Sequence, residues 1–221
     1  DGEDFPGWIW ATSLAAILVF ILVLQPDIGM TSVIALTWGF QMFLAGMPML
    51  LVLITIALAP LCLYAAYLFL PHVEARINRF LDGSSMQTKK SIESFSEGGF
   101  FGVGPGDGQV KLHLPDAHAD FIFSVAAEEY GVLACLFLIG LYGFFLLRGF
   151  ERSATGTSLF NLLAGAGLIM QFVVQASIHM ASSVDLIPAK GMTLPLISYG
   201  GSSLVTSGIT VGIILALTRD T

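Results

Sequence analysis

The feature that most limits how this chain folds is a succession of apolar runs too long for a globular core. Six segments reach or approach the roughly 20 apolar residues needed to cross a bilayer: about 8–24, 28–45, 47–70, 131–147, 158–182 and 204–218. Of the 221 residues, 55% are hydrophobic and only 11% charged, and the mean hydropathy is +0.83. A single core in a chain of this size cannot bury such an excess. The expected fold is therefore all-α, a polytopic transmembrane helix bundle of about six spans. The last span is the weakest, diluted by Thr206, Ser207, Gly208 and Thr210, but small residues of that kind suit close packing between helices. Pro48 is expected near the start of the third span and Pro60 to kink it.

Counting crossings sorts the connections. Gln25-Pro26-Asp27, the long loop 71–120 and the segment 183–203 fall on one face. The termini, Ala45-Gly46 and 148–157 fall on the other. One face is thus elaborated and one is plain, and a bundle of this kind works at its elaborated face. Basic residues leave the orientation open: Arg148, Arg152 and Arg219 lie on the plain face, and Arg76, Arg79, Lys89, Lys90, Lys111 and Lys190 on the elaborated one. The net charge is −7, and no basic stretch is dense enough for nucleic acid. Cys62 and Cys135 lie within apolar runs and read as reduced thiols acting as small hydrophobes. The acidic start Asp1-Gly2-Glu3-Asp4 has no basic n-region. It is no signal peptide, and the chain is expected to begin inside a longer protein.

Three polar segments have the makings of chemistry. In the loop, His72 to Leu81 carries an apolar stripe of Val73, Ile77, Phe80 and Leu81, the pattern of a short amphipathic helix in the interface. Residues 98–108 are too rich in glycine for a stable helix. Gly102-x-Gly104-x-Gly106 is no nucleotide loop, because no strand precedes it. Leu114-Pro115-Asp116 reads as a helix start, and from Asp120 the pattern runs helically through Glu128 and Glu129 into the fourth span. At that spacing Asp120 and Glu128 are about 80° apart and face one cavity, with Glu129 opposite. A carboxylate beside Phe121-Ile122-Phe123 at the membrane edge needs a partner or a role, and helix capping and function are both open.

In the Gln-Pro-Asp turn, Asp27 is placed to cap the second span. Residues 185–203, broken by glycine and proline, read as a re-entrant-like segment, which lipid tolerates only where it is buried or lines a wet cavity. Lys190 within it is a candidate partner for an anion. Gln171, Gln175 and His179 form a polar stripe in the fifth span, with Asn161 further along it, and interhelical hydrogen bonds account for them.

Four ordered blocks carry a resemblance: Gln25-Pro26-Asp27-Ile28-Gly29; Gly98-Gly99-Phe100-Phe101-Gly102-Val103-Gly104; Leu114-Pro115-Asp116-Ala117-His118-Ala119-Asp120-Phe121-Ile122-Phe123 with Glu128-Glu129-Tyr130-Gly131; and Pro188-Ala189-Lys190-Gly191-Met192-Thr193 continuing as Leu194-Pro195-Leu196-Ile197-Ser198-Tyr199-Gly200-Gly201-Ser202-Ser203. Together they resemble the SEDS family (FtsW, RodA, SpoVE), the last block being closer to its FtsW division branch than to its RodA elongation branch. The match covers residues 1–221, as the C-terminal part of a SEDS membrane domain without the first four spans. Between Leu81 and Gln87 the chain is shorter than the family pattern.

The resemblance implies an extracytoplasmic position for the elaborated face, loop 71–120 included, in the bacterial inner membrane at the division septum. It implies a peptidoglycan glycosyltransferase that polymerises lipid II, with Asp120 as the catalytic residue. Asp27, Lys111, His118, Glu128, Lys190 and Ser198 are the candidate substrate-binding residues. No metal ligands are assigned, and a divalent cation is the one candidate cofactor. The implied partners are lipid II, a class B penicillin-binding transpeptidase, other division proteins and membrane lipid. A lipid II flippase and a non-catalytic division scaffold are the alternatives.

Overall fold

The computed structural model describes residues 7–25, 27–83, 85–155 and 158–219, apart from the side chains at 55, 56, 59 and 63. Pro26 and the acidic start at 1–4 lie outside the described residues. The described residues are helical, with no strand. The elements are α1 (Gly7–Leu24), α2 (Ile28–Leu44), α3 (Met49–Phe69), α4 (Pro71–Leu81), α5 (Met86–Gly98), a 3-10 turn at Val110–His113, α6 (Ala117–Asp120), α7 (Ile122–Ala154), α8 (Leu159–Ser183) and α9 (Gly201–Leu217).

By length and apolar content α1, α7 and α8 are able to cross a membrane, while α2 and α9 are apolar helices of 17 residues each. α3 has 21 residues, starts after Pro48 and continues through Pro60. Two hydroxyls of α9 are satisfied within the helix, Thr206 donating to Ser202 O and Thr210 to Thr206 O, and Ser203 bonds Thr193 of the re-entrant segment. That is how a diluted span meets the demand that no polar group be left bare in lipid.

The centre of the bundle is α8, which packs against α7, α2 and α9. Its buried face is built from small residues, Gly165, Ala166, Gly167 and Ala176, with Ile169 and Phe172. Small residues let neighbouring backbones approach closely. Gln41 of α2 fills the space over Gly167 and donates to Leu163 O. Tyr142 and Phe172 join Ala176 and Leu194 in one core cluster, while Val33, Val174 and Met192 form another. In both clusters the re-entrant segment supplies a buried residue. By contrast α1 and α3 bury no described side chain, and lie at the periphery.

The contacts separate the two faces as the crossing count requires. Lys190 in the re-entrant segment pairs with Asp27 in the first turn, 2.6 Å away. At the other end Phe40 of α2 stacks on Phe150 of α7, and Ser153 packs on Gly165.

α4 is the expected amphipathic helix, with Val73 buried. α5 is an addition to the sequence reading. Ser85 caps it by accepting from Thr88 N, and its buried stripe is Thr88, Ser91, Ser94 and Gly98. Ser91 bonds both Ser124 Oγ and Ser183 O, tying α5 to α7 and α8. A polar stripe of that kind escapes a search for apolar periodicity.

The expected continuous helix from Asp120 into the fourth span is interrupted twice. Phe121, at φ −131° and ψ 27°, separates α6 from α7. Gly131, at φ 79° and ψ 179°, breaks α7 itself. A helix break strands amides and carbonyls, and the glycine-rich loop takes them up. Val103 N and Gly104 N donate to Glu128 O and Glu129 O, while Val132 N and Leu133 N donate to Gly99 O and Phe100 O. The approach is close enough that a Cβ on Gly131 would lie 2.3 Å from Phe100 O, and one on Gly102 2.2 Å from Glu129 O.

Gly131→Ala is therefore expected to destabilise the protein by at least the ~1–3 kcal/mol of a strained backbone, and to expose 99–104 to proteolysis. Thermal unfolding in detergent and limited digestion measure both; a parental melting temperature would count against the break as described. For topology, Ser91 and Ser153 are buried, so probes belong at exposed Ser96 and Thr155. In a Cys62→Ala background, Ser96→Cys is expected to react with an impermeant maleimide in intact cells. Thr155→Cys is expected to react only after permeabilisation.

Candidate functional site

A cavity of about 570 Å³ lies on the elaborated face where α4, α5, the α6–α7 junction and the re-entrant segment meet. Arg76 and Arg79 of α4 and Lys89 of α5 line it, with Asp120, Asp185, Lys190 and Gly191. Four cationic side chains line it against two carboxylates, and one of the four, Lys190, is paired with Asp27.

Asp120 ends the single turn of α6, which starts from Asp116 in the left-handed region at φ 51°. The re-entrant segment clasps that turn by its backbone. Ser198 Oγ donates to Ala119 O at 2.6 Å and accepts from Leu194 N. Tyr199 N donates to His118 O, and the His118 and Tyr199 rings meet edge to face. From the other side Gln175 Nε2 donates to Thr193 O and His179 Nδ1 to Met192 O. The polar stripe of α8 thus binds the re-entrant backbone rather than another helix. Between these anchors Gly191, at φ +56°, lies under the carboxylate, and a Cβ there would sit 2.8 Å from Asp120 Oδ2. Only glycine meets both conditions.

Among the described residues no hydrogen-bond donor reaches the Asp120 carboxylate. Burial and the Asp116 charge hold its pKa above the ordinary value, against the opposing pull of His118. Asp27 behaves the other way. Its burial is outweighed by the Lys190 ion pair and the Met30 amide, so its pKa is lowered.

The structure brings together only part of the predicted site. Asp120 and Lys190 line the cavity, and Asp27 reaches it through the Lys190 pair. His118 is exposed and Ser198 buried, both beside the Asp120 turn. Glu128 is elsewhere. The break at Phe121 cancels the 80° relation, and Glu128 is fully buried with Val110 N and Lys111 N donating to its two oxygens at 2.7 and 2.9 Å. The Lys111 ammonium is taken by Glu129. These residues hold the loop. Arg76, Arg79 and Lys89, in sequence only loop cations open to pairing with a pyrophosphate, line a cavity that no local pattern reveals. For a metal, no group of three His, Cys, Asp or Glu converges among the described residues.

The family model for cell cycle proteins FtsW, RodA and SpoVE matches residues 3–221. The chain belongs to this family. Among curated relatives of the FtsW/RodA/SpoVE family, the probable peptidoglycan glycosyltransferase FtsW of Caulobacter vibrioides is 42% identical over 221 residues, covering 99% of this chain and 57% of that protein. Its counterpart in Saccharophagus degradans is 38% identical over 219 residues, covering 93% and 56%. A chain from a solved peptidoglycan synthase complex that coordinates polymerization and crosslinking superposes with a TM-score of 0.78 at 30% identity, covering 95% of this chain and 61% of that one. The chain thus spans a little over half the length of these curated relatives. With its apolar helices, family membership makes it a membrane protein.

Because the folded state raises the Asp120 pKa, the ionised carboxylate opposes folding. Below the ordinary aspartate value both states are protonated and the penalty vanishes; it grows as pH rises through the folded pKa. Asp120→Asn is therefore expected to be as stable as the parent in acid and more stable near neutrality. Melting temperatures measured across that range test the sign, and a variant less stable at neutral pH would overturn it.

Proposed function

We propose that the chain is the site-bearing part of a peptidoglycan glycosyltransferase that polymerises lipid II at the septum, in the bacterial inner membrane. The observation that supports this reading is a carboxylate of raised pKa with no hydrogen-bond donor among the described residues, Asp120, in a cavity that Arg76, Arg79, Lys89 and Lys190 also line. The substrate combines a sugar hydroxyl to be deprotonated with a pyrophosphate to be held.

In this mechanism Asp120 takes the proton from the 4-hydroxyl of one lipid II sugar as that oxygen attacks the anomeric carbon of a second. The new glycosidic C–O bond forms while the bond to the lipid pyrophosphate breaks, and the pyrophosphate leaves with the bonding pair. It is already a good leaving group and needs charge stabilisation, which Lys190, Arg76, Arg79 and Lys89 are placed to supply. A raised pKa suits a base. Asp27 keeps Lys190 extended toward the cavity. The relatives' names and the complex that coordinates polymerization and crosslinking support the same reaction, with a class B transpeptidase as partner and other division proteins around it.

The test is polymerisation of purified lipid II by the full-length protein. Asp120→Asn is expected to lose about 10²–10⁴-fold in rate while staying membrane-inserted and able to bind its transpeptidase. A near-parental rate would reduce Asp120 to a structural role. Polymer formed in detergent, with no bilayer to cross, separates this reading from a flippase, and loss of polymer without loss of partner binding separates it from a scaffold.

A further inference from the structure

At the plain face α9 packs on α8, and between α9 and α7 lies a second cavity of about 220 Å³. Phe144 and Phe145 of α7 and Ile214 and Leu215 of α9 supply its apolar wall, and Arg148 and Arg152 stand at one end. The two arginines are four residues apart and so share one helix face. α9 carries no charged residue. The acid near them is Glu151, which pairs with Arg148 at 2.8 Å with both side chains more than half exposed; such a pair is weak and readily exchanged. Among the described residues Arg152 has no ion pair.

We propose that this groove binds an anionic glycerophospholipid: an acyl chain lies along Phe144, Ile214 and Leu215, and the headgroup phosphate is held by Arg148 and Arg152. The argument is one of charge complementarity at a fixed depth. The apolar wall ends at the arginines, as a lipid's chain ends at its phosphate. Guanidinium forks match phosphate oxygens in a bidentate way, and basic pockets between spans collect anionic headgroups. Thr218 adds no competing donor, because its hydroxyl is turned back to Ile214 O. The site is at the opposite end of the bundle from Asp120, so it stands or falls independently of the glycosyltransferase reading.

The experiment is lipid binding by the full-length protein, purified and delipidated, followed by native mass spectrometry and thermal shift at low salt. Phosphatidylglycerol is expected to bind more tightly than phosphatidylcholine, by about fivefold for each arginine. The Arg148→Gln, Arg152→Gln double variant is expected to bring the two lipids level, with an unchanged circular dichroism spectrum since both positions are exposed. Arg152→Lys, which keeps the charge, is expected to retain a preference. Equal binding of the two lipids by the parent, or a preference that survives in the double variant, would overturn the proposal. So would protection by inorganic phosphate alone equal to that by phosphatidylglycerol, which would make the site one for free anions.

Discussion

Backbone amides and carbonyls at a membrane edge have few partners to choose from, and α7 breaks there at Gly131. Everything on the elaborated face follows from how that break is closed. The glycine-rich loop enters it and takes four hydrogen bonds, two on each side. Once 99–104 is pinned to α7, α5 is drawn in before it, with Gly98 against Ala127. The 3-10 turn after it is anchored on Glu128. A loop of some 50 residues thereby becomes a wall of the cavity, and Lys89 on α5 lines it with Asp120.

The other wall is made by the re-entrant segment, whose irregular backbone is held from two sides. Gln175 and His179 of α8 grip Met192 and Thr193, and the turn of α6 is gripped through Ala119 and His118. These bonds bring Gly191 under the Asp120 carboxylate. A carboxylate brought close to backbone, short of donors and near Asp116 is costly to ionise, which is the property the proposed base role calls for. Lys190 is paired with Asp27, which holds the cation in place at the cavity.

Much of this was legible in the sequence. Apolar runs located the apolar helices, three of them long enough to cross a bilayer, because a bilayer sets both length and composition; the fourth run, 131–147, stops short of the end of α7 at Ala154. Crossing parity put Asp27, Asp120 and Lys190 on one face. The amphipathic stripe of α4 was visible as well. Glu128 shows where such reasoning ends. A helical projection assumes an unbroken helix, and Phe121 breaks it for reasons that lie in the contact of Ala119 with Ser198, 79 residues away. α5 was missed because its buried stripe is Thr, Ser and Gly, which bury well only against a neighbour whose hydroxyls and carbonyls match them.

What the sequence alone determined was membership of the membrane class, the all-helical fold, the polar face and, through its ordered motifs, the family. These depend on local composition and on parity, which no packing changes. Tertiary structure alone decided which charged groups meet. Arg76, Arg79 and Lys89 line the cavity that Asp120 also lines, while Lys111 and Glu128, equally polar and on the same face, hold the loop. The physical reason is that a side chain's role depends on the direction its backbone gives it, and here the direction is set by breaks at Phe121, Gly131 and Gly191 whose partners come from distant parts of the chain.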